Sequence, residues 1–574
     1  MRIIKLRGIT LSSYLYICAN QENLPPIKKW LKSLGASYST KDNIFGLVEL
    51  FIAADAPSLQ NNFSFLGYAI NDEKQTISFD GSDVLPTSPQ AGCYLQIQSN
   101  KLKTIISSDV FAQVSRFYFS SEGICAVSDS LAVLAELRRA VGIACKPNIE
   151  ALLARSWING ITQQQTSHQT IVQDIVMALP GEVLKVRKLY SPKMSSERAT
   201  WAIANSDYED TLRNAAQNMI GFIWGIHQHE SLSSTFNLSG GLDSRTVLAA
   251  AIHLHDKKSE IDIKSNIDRP NDFAIAKQIC NKFNLSLNNN FSVYEGDNEK
   301  VERLANWYLC NAGTYDPLHS PAAIKSSGLK FEFGGHGAEL YKGNYGWRSV
   351  NQIGKKLQSH IYEAFLSQSQ TGLMRGGINA MHEYGSEWHY LFYRNSIHAG
   401  RSTMTSLHAA RPLLNKNLVS LTYSPINPWQ APGKGQWSIV NDILVYLSPT
   451  LAVLPFDDER KNMSNEQVTS RHNHLGSLRK IEPYKIVGQP KKFAGKPLPC
   501  FLQLASQKGF SGGLQEEKLA RLCRLDMVPS ELQEHFSHLL IEAEKKFHSP
   551  EEYKAASKAP SVAVGKLLSM HLFS

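Results

Sequence analysis

The sequence has few cysteines, and none of them forms a recognisable metal-binding or redox pair. Eight occur among 574 residues, no two are spaced as C-x-x-C, and none lies at zinc-finger spacing from a histidine. This pattern argues against a zinc finger or a thioredoxin-like centre. In a chain of this length it predicts reduced, mostly buried thiols and a reducing, cytoplasmic environment.

Long hydrophobic runs are also missing. No stretch approaches the roughly 18 apolar residues that cross a bilayer, so we expect no membrane contact. The N-terminal "MRIIKLRGITLSSYLYICA" carries early positive charge before a mostly apolar stretch, which weakly imitates a signal peptide. Polar residues interrupt the stretch and it lacks a convincing cleavage site, so we interpret it as a first β-strand.

The chain shows no strong concentration of charge of one sign. Its net charge is +9, and no dense stripe of lysine and arginine stands out. The charge therefore does not indicate a nucleic-acid partner. A small anionic substrate such as a nucleotide is the simpler partner for a mildly basic protein.

The length and the texture of the sequence predict two domains. Residues 1–195 consist mainly of short β-rich runs such as "KLKTIISSD", "SRFYFSS", "GICAVSD" and "GEVLKVRKLY", with one amphipathic helix at 129–141. Residues 200–574 begin with a long helical pattern at 207–229, and the pattern beyond about 350 is mostly helical. The segment 485–515, rich in Pro, Gly and Lys, predicts a long loop.

Strands and helices alternate after the first long helix. The runs are, in order, "STFNL", "DSRTVLAAAIHLH", "EIDIKSNI", "DFAIAKQICNKFN" and "KFEFGG". Such alternation predicts an α/β fold with a parallel sheet that is covered by helices on both faces.

The stretch "LSGGLDSR" connects the first of these strands to its helix. Gly240 and Gly241 let the backbone turn sharply and bring its N–H groups close to a ligand, and the following helix adds free N–H groups and a positive dipole end. Ser239 and Ser244 add hydroxyl donors, and the strand ends at Leu238. The loop therefore predicts binding of the phosphates of ATP.

Asp243 would repel a bare phosphate, so its presence in this loop predicts an intervening Mg²⁺ ion. The Walker A pattern is absent from the chain. A Gly-Gly turn whose Asp and Ser only cap the helix is the plainer alternative. The complete order of strand, SGGxDS and helix favours the phosphate loop.

"SGGLDSR" resembles the pyrophosphatase loop of the asparagine synthetase superfamily, and other segments extend the resemblance. "DFAIAKQI", "FGGHGAELYKGNYGW" and "AARPLLNKNLVSLTYSPINP" resemble later motifs of that family, sharply over residues 236–428. "GCYLQIQ", "SSDVFAQVSRFYF", "AVSDS" and "LPGEVLKV" follow more loosely the frame of its glutaminase-like domain. The resemblance implies a degenerate Ntn-hydrolase-like domain over 1–195 and an adenine-nucleotide α-hydrolase-like synthetase domain with added helices over 200–574.

The first departure from the family is at the N-terminus. A glutamine-hydrolysing member begins Met-Cys-Gly, whereas this chain has Arg2, and its first cysteine, Cys18, lies within a predicted strand. A cysteine nucleophile needs a lowered pKa and an adjacent base. We therefore predict no glutaminase activity, so an amine other than glutamine-derived ammonia is the nucleophile.

The second departure is the segment "GGHGAE". The resemblance implies Glu at the position of His336 in asparagine-forming members, Tyr in β-lactam synthetases and His in lasso-peptide macrolactam synthetases. An imidazole that titrates near neutral pH suits removal of a proton from an attacking amine, so His336 is the predicted base. The alternative is a histidine that only orients substrate or packs in the turn.

The resemblance also implies a metal pair and a catalytic lysine. Glu339 occupies the place of a second Mg²⁺-binding aspartate, so that with Asp243 it would bridge the metal to pyrophosphate. Lys461 is the predicted lysine that stabilises the reaction intermediate, with Lys434 and Lys491 as rivals. The predicted nucleotide-binding residues are Leu238, Ser239, Gly240, Gly241, Asp243, Ser244 and Gly335.

These residues predict an ATP-dependent ligase that adenylates a carboxylate, releases pyrophosphate and joins the acyl group to an amine. The product is a macrolactam of lasso-peptide type or a β-lactam, and the partners are a small-molecule or peptide carboxylate or a precursor peptide with its protease. Two alternatives remain open. One is an asparagine synthetase that uses free ammonia, and the other is a degenerate nucleotide-binding regulatory protein.

Overall fold

The computed structural model describes most of the chain. The described residues are 9–10, 13–43, 45–53, 62–158, 160–198, 201, 207–254, 261–291, 302–318, 329–400, 408–433, 435–493, 498–548 and 559–574. Arg2 and Lys434, which the sequence analysis singled out, lie outside these ranges.

The first part of the chain forms two sheets of mainly antiparallel strands. Their orders are β11-β9-β10-β2-β4-β3 and β13-β12-β8-β7-β5-β6-β19, and a separate pair joins β1 to β20. The strands are β1 (Ile9–Thr10), β2 (Tyr14–Ala19), β3 (Ser39–Asp42), β4 (Val48–Ala53), β5 (Phe63–Asn71), β6 (Thr76–Ser78), β7 (Ala91–Ser99), β8 (Lys103–Ser108), β9 (Phe117–Ser121), β10 (Ile124–Ser128), β11 (Val176–Met177), β12 (Val183–Leu189) and β13 (Ser191–Glu197), with β19 (Lys485–Val487) and β20 (Lys492–Phe493) from the later part.

The strands predicted between residues 101 and 190 are confirmed as β8, β9, β10 and β12, and the predicted helix is confirmed as α2. The helices of this part are α1 (Leu24–Ser33), α2 (Leu131–Ala140) and α3 (Ile149–Ala154). The side chain of Ser130 caps α2 by accepting a hydrogen bond from the backbone N–H of Val133. Cys18 lies within β2 as predicted and is fully buried.

The second part is built on a parallel sheet, which confirms the predicted α/β class. Its strands are β14 (Ser233–Asn237), β15 (Asp262–Asn266), β16 (Asn289–Phe291), β17 (Lys330–Phe333) and β18 (Ala409–Ala410). The order is β16-β15-β14-β17-β18, and every neighbouring pair is parallel. After β14 the chain adds β15 and then β16 on one side of it, and afterwards adds β17 and β18 on the opposite side. The topological switch point therefore lies between β14 and β17, where α/β proteins commonly bind ligands.

Helices make up most of the remaining chain, as predicted. The helices are α4 (Tyr208–His227), α5 (Leu242–Ala251), α6 (Pro270–Lys282), α7 (Arg303–Asn311), α8 (Glu339–Lys342), α9 (Val350–Gly354), α10 (Ser359–Arg375), α11 (Gly385–His389), α12 (Ser396–Gly400), α13 (Lys416–Thr422), α14 (Ile439–Leu447), α15 (Pro449–Ala452), α16 (Asn465–Leu475), α17 (Pro499–Gln507), α18 (Glu516–Leu522), α19 (Gln533–His548) and α20 (Ala559–Ser569). None of the described helices combines the length and apolar character that crossing a bilayer requires.

Aromatic side chains pack the two parts of the molecule together. Tyr68 of β5 stacks on Phe222 of α4 with ring centroids 6.0 Å apart, and it meets the edge of Phe331 of β17 at 5.1 Å. Within the parallel sheet, Phe236 and Phe333 stack at 4.8 Å on the neighbouring strands β14 and β17. This packing holds β14 and β17 side by side, and their carboxyl ends carry the two predicted motifs.

The prediction of a long loop over 485–515 is wrong. Within it, β19 adds a parallel strand to β6, β20 pairs with β1, and residues 499–507 form α17. Pro499 stands in the first turn of α17, where its missing N–H costs nothing, and Phe501 and Leu504 are buried. A segment rich in Pro, Gly and Lys thus forms two short strands, which pair with β6 and β1, and a short amphipathic helix.

Candidate functional site

Two loops meet at the switch point of the parallel sheet. One follows β14 and contains "LSGGLDS", and the other follows β17 and contains "GGHGAE". A Cβ atom at Gly335 would lie 2.5 Å from the backbone carbonyl carbon of Asp243 and 2.6 Å from the backbone nitrogen of Ser244. Only glycine allows this approach, so the sequence of the second loop is matched to the backbone of the first.

The serine side chains shape the first loop from within. The hydroxyl of Ser244 accepts a hydrogen bond from the backbone N–H of Ser239 at 3.0 Å and also contacts the Ser239 hydroxyl at 3.0 Å. The Ser239 hydroxyl in turn accepts from the N–H of Gly241 at 3.3 Å. These bonds hold the turn that leads into α5, whose first residue is Leu242.

Acidic residues from two other segments close around Gly240. Its N–H donates to the Asp272 carboxylate at 3.0 Å, and its carbonyl accepts from the N–H of Asp457 at 3.1 Å. A Cβ atom at Gly240 would lie 2.7 Å from the Cβ of Asp457. Asp272 belongs to the "DFAIAKQI" motif, so the structure brings this motif to the loop. Asp457 was not identified from sequence, because it lies far away in the chain and in no recognised motif.

Arg245, which the sequence analysis also passed over, fastens the segment around Asp457 to the start of α5. Its guanidinium donates to the carbonyls of Leu454 at 2.7 Å and Pro455 at 2.6 Å and lies 3.6 Å from the ring centroid of Phe456. Burial lowers the pKa of this guanidinium to about 10, so it remains charged at neutral pH. The position of Arg245 directly after "LDS" could have marked it in the sequence as a residue near the loop.

The Asp243 carboxylate is paired with a lysine that the sequence analysis did not consider. Lys342 Nζ lies 2.5 Å from Asp243 Oδ1, and the two side chains keep 32% and 28% of their surface exposed. Burial raises the pKa of the Asp243 carboxyl, the nearby Lys342 ammonium opposes that rise, and the charge of Glu339 adds to it. Lys342 stands one helical turn after Glu339, on α8, and 99 residues from Asp243 in the chain.

The two carboxylates of the predicted metal-binding pair, Asp243 and Glu339, both have partners within the protein. The ammonium of Lys342 contacts Asp243 Oδ1, and it would repel a Mg²⁺ ion bound to the same oxygen. One oxygen of Glu339 accepts the N–H of Gly337 at 3.1 Å. Among the residues that the structure describes, no group of three or more His, Cys, Asp or Glu side chains could hold a metal ion.

Lys461 lies at the same edge of the site. Its Nζ is 2.9 Å and 3.2 Å from the two carboxylate oxygens of Asp457, and its positive charge acts on Asp243. Of its rivals, Lys491 is exposed and no contact of the described residues links it to the loop, while Lys434 lies outside the described ranges. Of the two described lysines, the geometry therefore favours Lys461 over Lys491.

His336 lies at the end of β17 beside a second histidine. Its ring is half-buried and meets the ring of His398 edge-on, with centroids 5.1 Å apart. His398 stacks on Tyr315 at 6.1 Å, and the guanidinium of Arg394 lies 4.5 Å from the centroid of Tyr315. A row of ring contacts thus runs from His336 through His398 to Tyr315 and ends at the guanidinium of Arg394.

The cysteines show no sign of a nucleophile. All eight are free thiols, and Cys18 and Cys93 are fully buried. Burial raises the pKa of both thiols well above the ordinary value, so neither forms a thiolate readily.

Comparison with known proteins adds no relative to this description. A scan of the chain against protein-family models found no match, and a search of curated proteins found none either.

Proposed function

We propose that the protein is an ATP-dependent ligase that forms an amide bond in natural-product biosynthesis, within one substrate molecule. One observation supports this most strongly: the serine-glycine loop and the "GGHGAE" loop interlock at the switch point of a parallel sheet. The two serine hydroxyls and the first turn of α5, with its positive dipole end, form a site suited to phosphates. In this proposal the second part is an adenine-nucleotide α-hydrolase-like synthetase domain, and the first is a glutaminase-like domain without its nucleophile.

The proposed reaction has two steps. A carboxylate oxygen of the substrate attacks the α-phosphorus of ATP, and the bond to the leaving pyrophosphate breaks. An amine then attacks the acyl carbon, the bond to AMP breaks, and His336 accepts the proton that the amine loses. The Lys461 ammonium stabilises the negative charge of the tetrahedral intermediate. The site must exclude water, which would otherwise hydrolyse the acyl-adenylate.

The substitution Gly335→Ala tests the proposal, and Gly334→Ala is its matched control. An added methyl group at Gly335 would displace the backbone of Asp243 and Ser244, whereas at Gly334 it would meet only the Asn237 side chain at 3.9 Å. We expect Gly335→Ala to weaken ATP binding by about tenfold or more, the loss of one good phosphate contact, and Gly334→Ala to leave it within about twofold. Equilibrium binding of ATP measures both.

Exchange of labelled pyrophosphate into ATP then distinguishes the alternatives. A ligase supports exchange with a carboxylate that it adenylates, so a panel of amino acids, carboxylated metabolites and peptides is assayed. Exchange with aspartate would favour an asparagine synthetase that uses free ammonia. ATP binding without exchange across the panel would favour a nucleotide-binding regulatory protein. Equal ATP affinities of wild type and Gly335→Ala would contradict the assignment of the loop.

A further inference from the structure

Several negatively charged side chains lie around the phosphate loop. Four carboxylates lie there, those of Asp243, Glu339, Asp272 and Asp457. Asp272 accepts the N–H of Gly240, and Asp243 contacts the side chain of Lys342. The cations in contact with these carboxylates are Lys342 on Asp243, Lys461 on Asp457 and the exposed Arg269, 3.7 Å from Asp272. A nucleotide with several negative charges can enter such a site only if cations there balance the carboxylates.

Lys342 is well placed to supply that charge. Its ammonium touches Asp243, which belongs to the first turn of α5, and its backbone belongs to α8, which follows the His336 loop. About a third of its side chain is exposed, so a ligand at the loop can reach it. The side chain has a flexible four-carbon stem and three N–H donors, so it can contact Asp243 and a phosphate oxygen together.

We propose that Lys342 is the resident cation of the phosphate loop: it neutralises Asp243 before the nucleotide binds and then binds the phosphate chain. This inference rests on the proposed function. It differs from the prediction of a metal bridge, because the ammonium contacts Asp243 Oδ1 and would repel a Mg²⁺ ion bound to the same oxygen. It has a definite consequence. Binding of ATP by the free protein requires Lys342 and does not require a divalent cation.

The experiment measures the affinity for ATP by calorimetry, in EDTA and in excess Mg²⁺, with the full-length protein. Wild type is expected to bind in both buffers, with affinities within about threefold of each other. Lys342→Gln is expected to bind about tenfold or more weakly in EDTA, the loss of one charge-assisted contact. Excess Mg²⁺ should restore part of this loss, because the substitution leaves Asp243 Oδ1 open to the ion. Lys342→Arg keeps the charge and should stay within a few-fold of wild type.

The control is Lys330→Gln. Lys330 stands at the opposite end of β17, and its ammonium lies 2.9 Å from Asp262, with side chains 33% and 23% exposed. This pair matches Lys342–Asp243 in burial but lies away from the loop, so the control should bind ATP like wild type in both buffers. Inorganic pyrophosphate, used as a second ligand, should show the same dependence on Lys342 if the contact is to the phosphate chain.

Three results would overturn the inference: wild type binding ATP only with Mg²⁺, Lys342→Gln binding like wild type in EDTA, or Lys330→Gln losing as much as Lys342→Gln. The Mg²⁺ comparison in wild type needs no variant, so it can overturn the inference even if Lys342→Gln does not fold. Pyrophosphate exchange tests the proposed ligase activity independently of the role of Lys342. Pyrophosphate exchange with unchanged binding by Lys342→Gln would sink this inference alone, and Lys342-dependent binding without exchange would sink the ligase alone.

Discussion

At the scale of single residues, proton transfer in the proposed reaction depends on His336. The amine must lose a proton as it attacks the acyl-adenylate, and the imidazole at the end of β17 lies on the loop that touches the phosphate loop. Adenylation itself needs phosphate contacts and no base at this position. The two steps should therefore respond differently to loss of the imidazole.

We expect His336→Ala to slow amide formation by about 10²–10⁴-fold, the usual contribution of a general base, while pyrophosphate exchange persists. Raising the pH should partly restore the rate, because more of the amine is then already deprotonated. Both rates are measured on one preparation, with His229→Ala as the control, since His229 lies in the turn before β14, at the end of this strand opposite the serine-glycine loop. Equal loss of exchange and amide formation would assign His336 to the nucleotide or the fold.

At the scale of secondary-structure elements, the start of α5 organises the site. The loop before it is held by the hydroxyls of Ser239 and Ser244, Gly335 packs against it, and Arg245 fastens the segment 454–461 to it. That segment carries both Asp457, which bonds Gly240, and Lys461. The geometry of the site thus depends on one buried guanidinium as well as on the motif residues.

Arg245→Met should keep the volume of the side chain but remove its hydrogen bonds. The carbonyls of Leu454 and Pro455 would lose their charged donor in the interior, which should lower the free energy of unfolding by about 2–4 kcal/mol. A fall in the thermal midpoint measures this. Arg460→Met in the same segment is the control, because Arg460 is exposed and pairs with Asp458 at the surface. A midpoint that falls equally in both variants would show that Arg245 has no special anchoring role.

At the scale of the whole molecule, a buried ion cluster joins distant parts of the chain. Asp316, after α7, lies 2.5 Å from the guanidinium of Arg155, after α3, and 2.6 Å from the ammonium of Lys566 on α20. All three side chains are almost fully buried, and burial lowers the pKa of Lys566 to about 8. The cluster connects the first part of the chain, the region of the parallel sheet and the C-terminal helix.

Asp316→Ala would leave two buried cations without their shared carboxylate. We expect it to lower the free energy of unfolding by about 3–5 kcal/mol, the usual cost of breaking a buried ion pair by removing one partner. The thermal midpoint, measured near pH 7, should fall by several degrees. Asp526→Ala should leave it unchanged, since Asp526 and its partner Arg524 are exposed. An unshifted midpoint for Asp316→Ala would mean that the cations find other partners.

Predictions from sequence held best where the pattern was local and periodic. The helix predicted at 207–229 is observed at Tyr208–His227, and its N-terminus is capped by the side chain of Asp207, which accepts the N–H of Asp210 at 2.8 Å. The prediction of a loop over 485–515 was wrong because the structure of this segment depends on contacts with residues distant in the chain. The strand at Lys485–Val487 exists because β6 offers it an edge, and nothing within the segment itself signals that pairing.

The sequence by itself determined the strand β14, the turn of serines and glycines and the helix α5, because glycine conformation, capping and hydrophobic periodicity act between near neighbours. It also determined the parallel sheet, since strands that alternate with helices have few other ways to bury both faces. Only the tertiary structure decided what faces that loop. Lys342 reaches Asp243 across 99 residues, and Asp457 reaches Gly240 across more than 200. Such contacts depend on the order of strands in the sheet and on Arg245, so no local pattern could predict that the ammonium of Lys342 would lie beside Asp243.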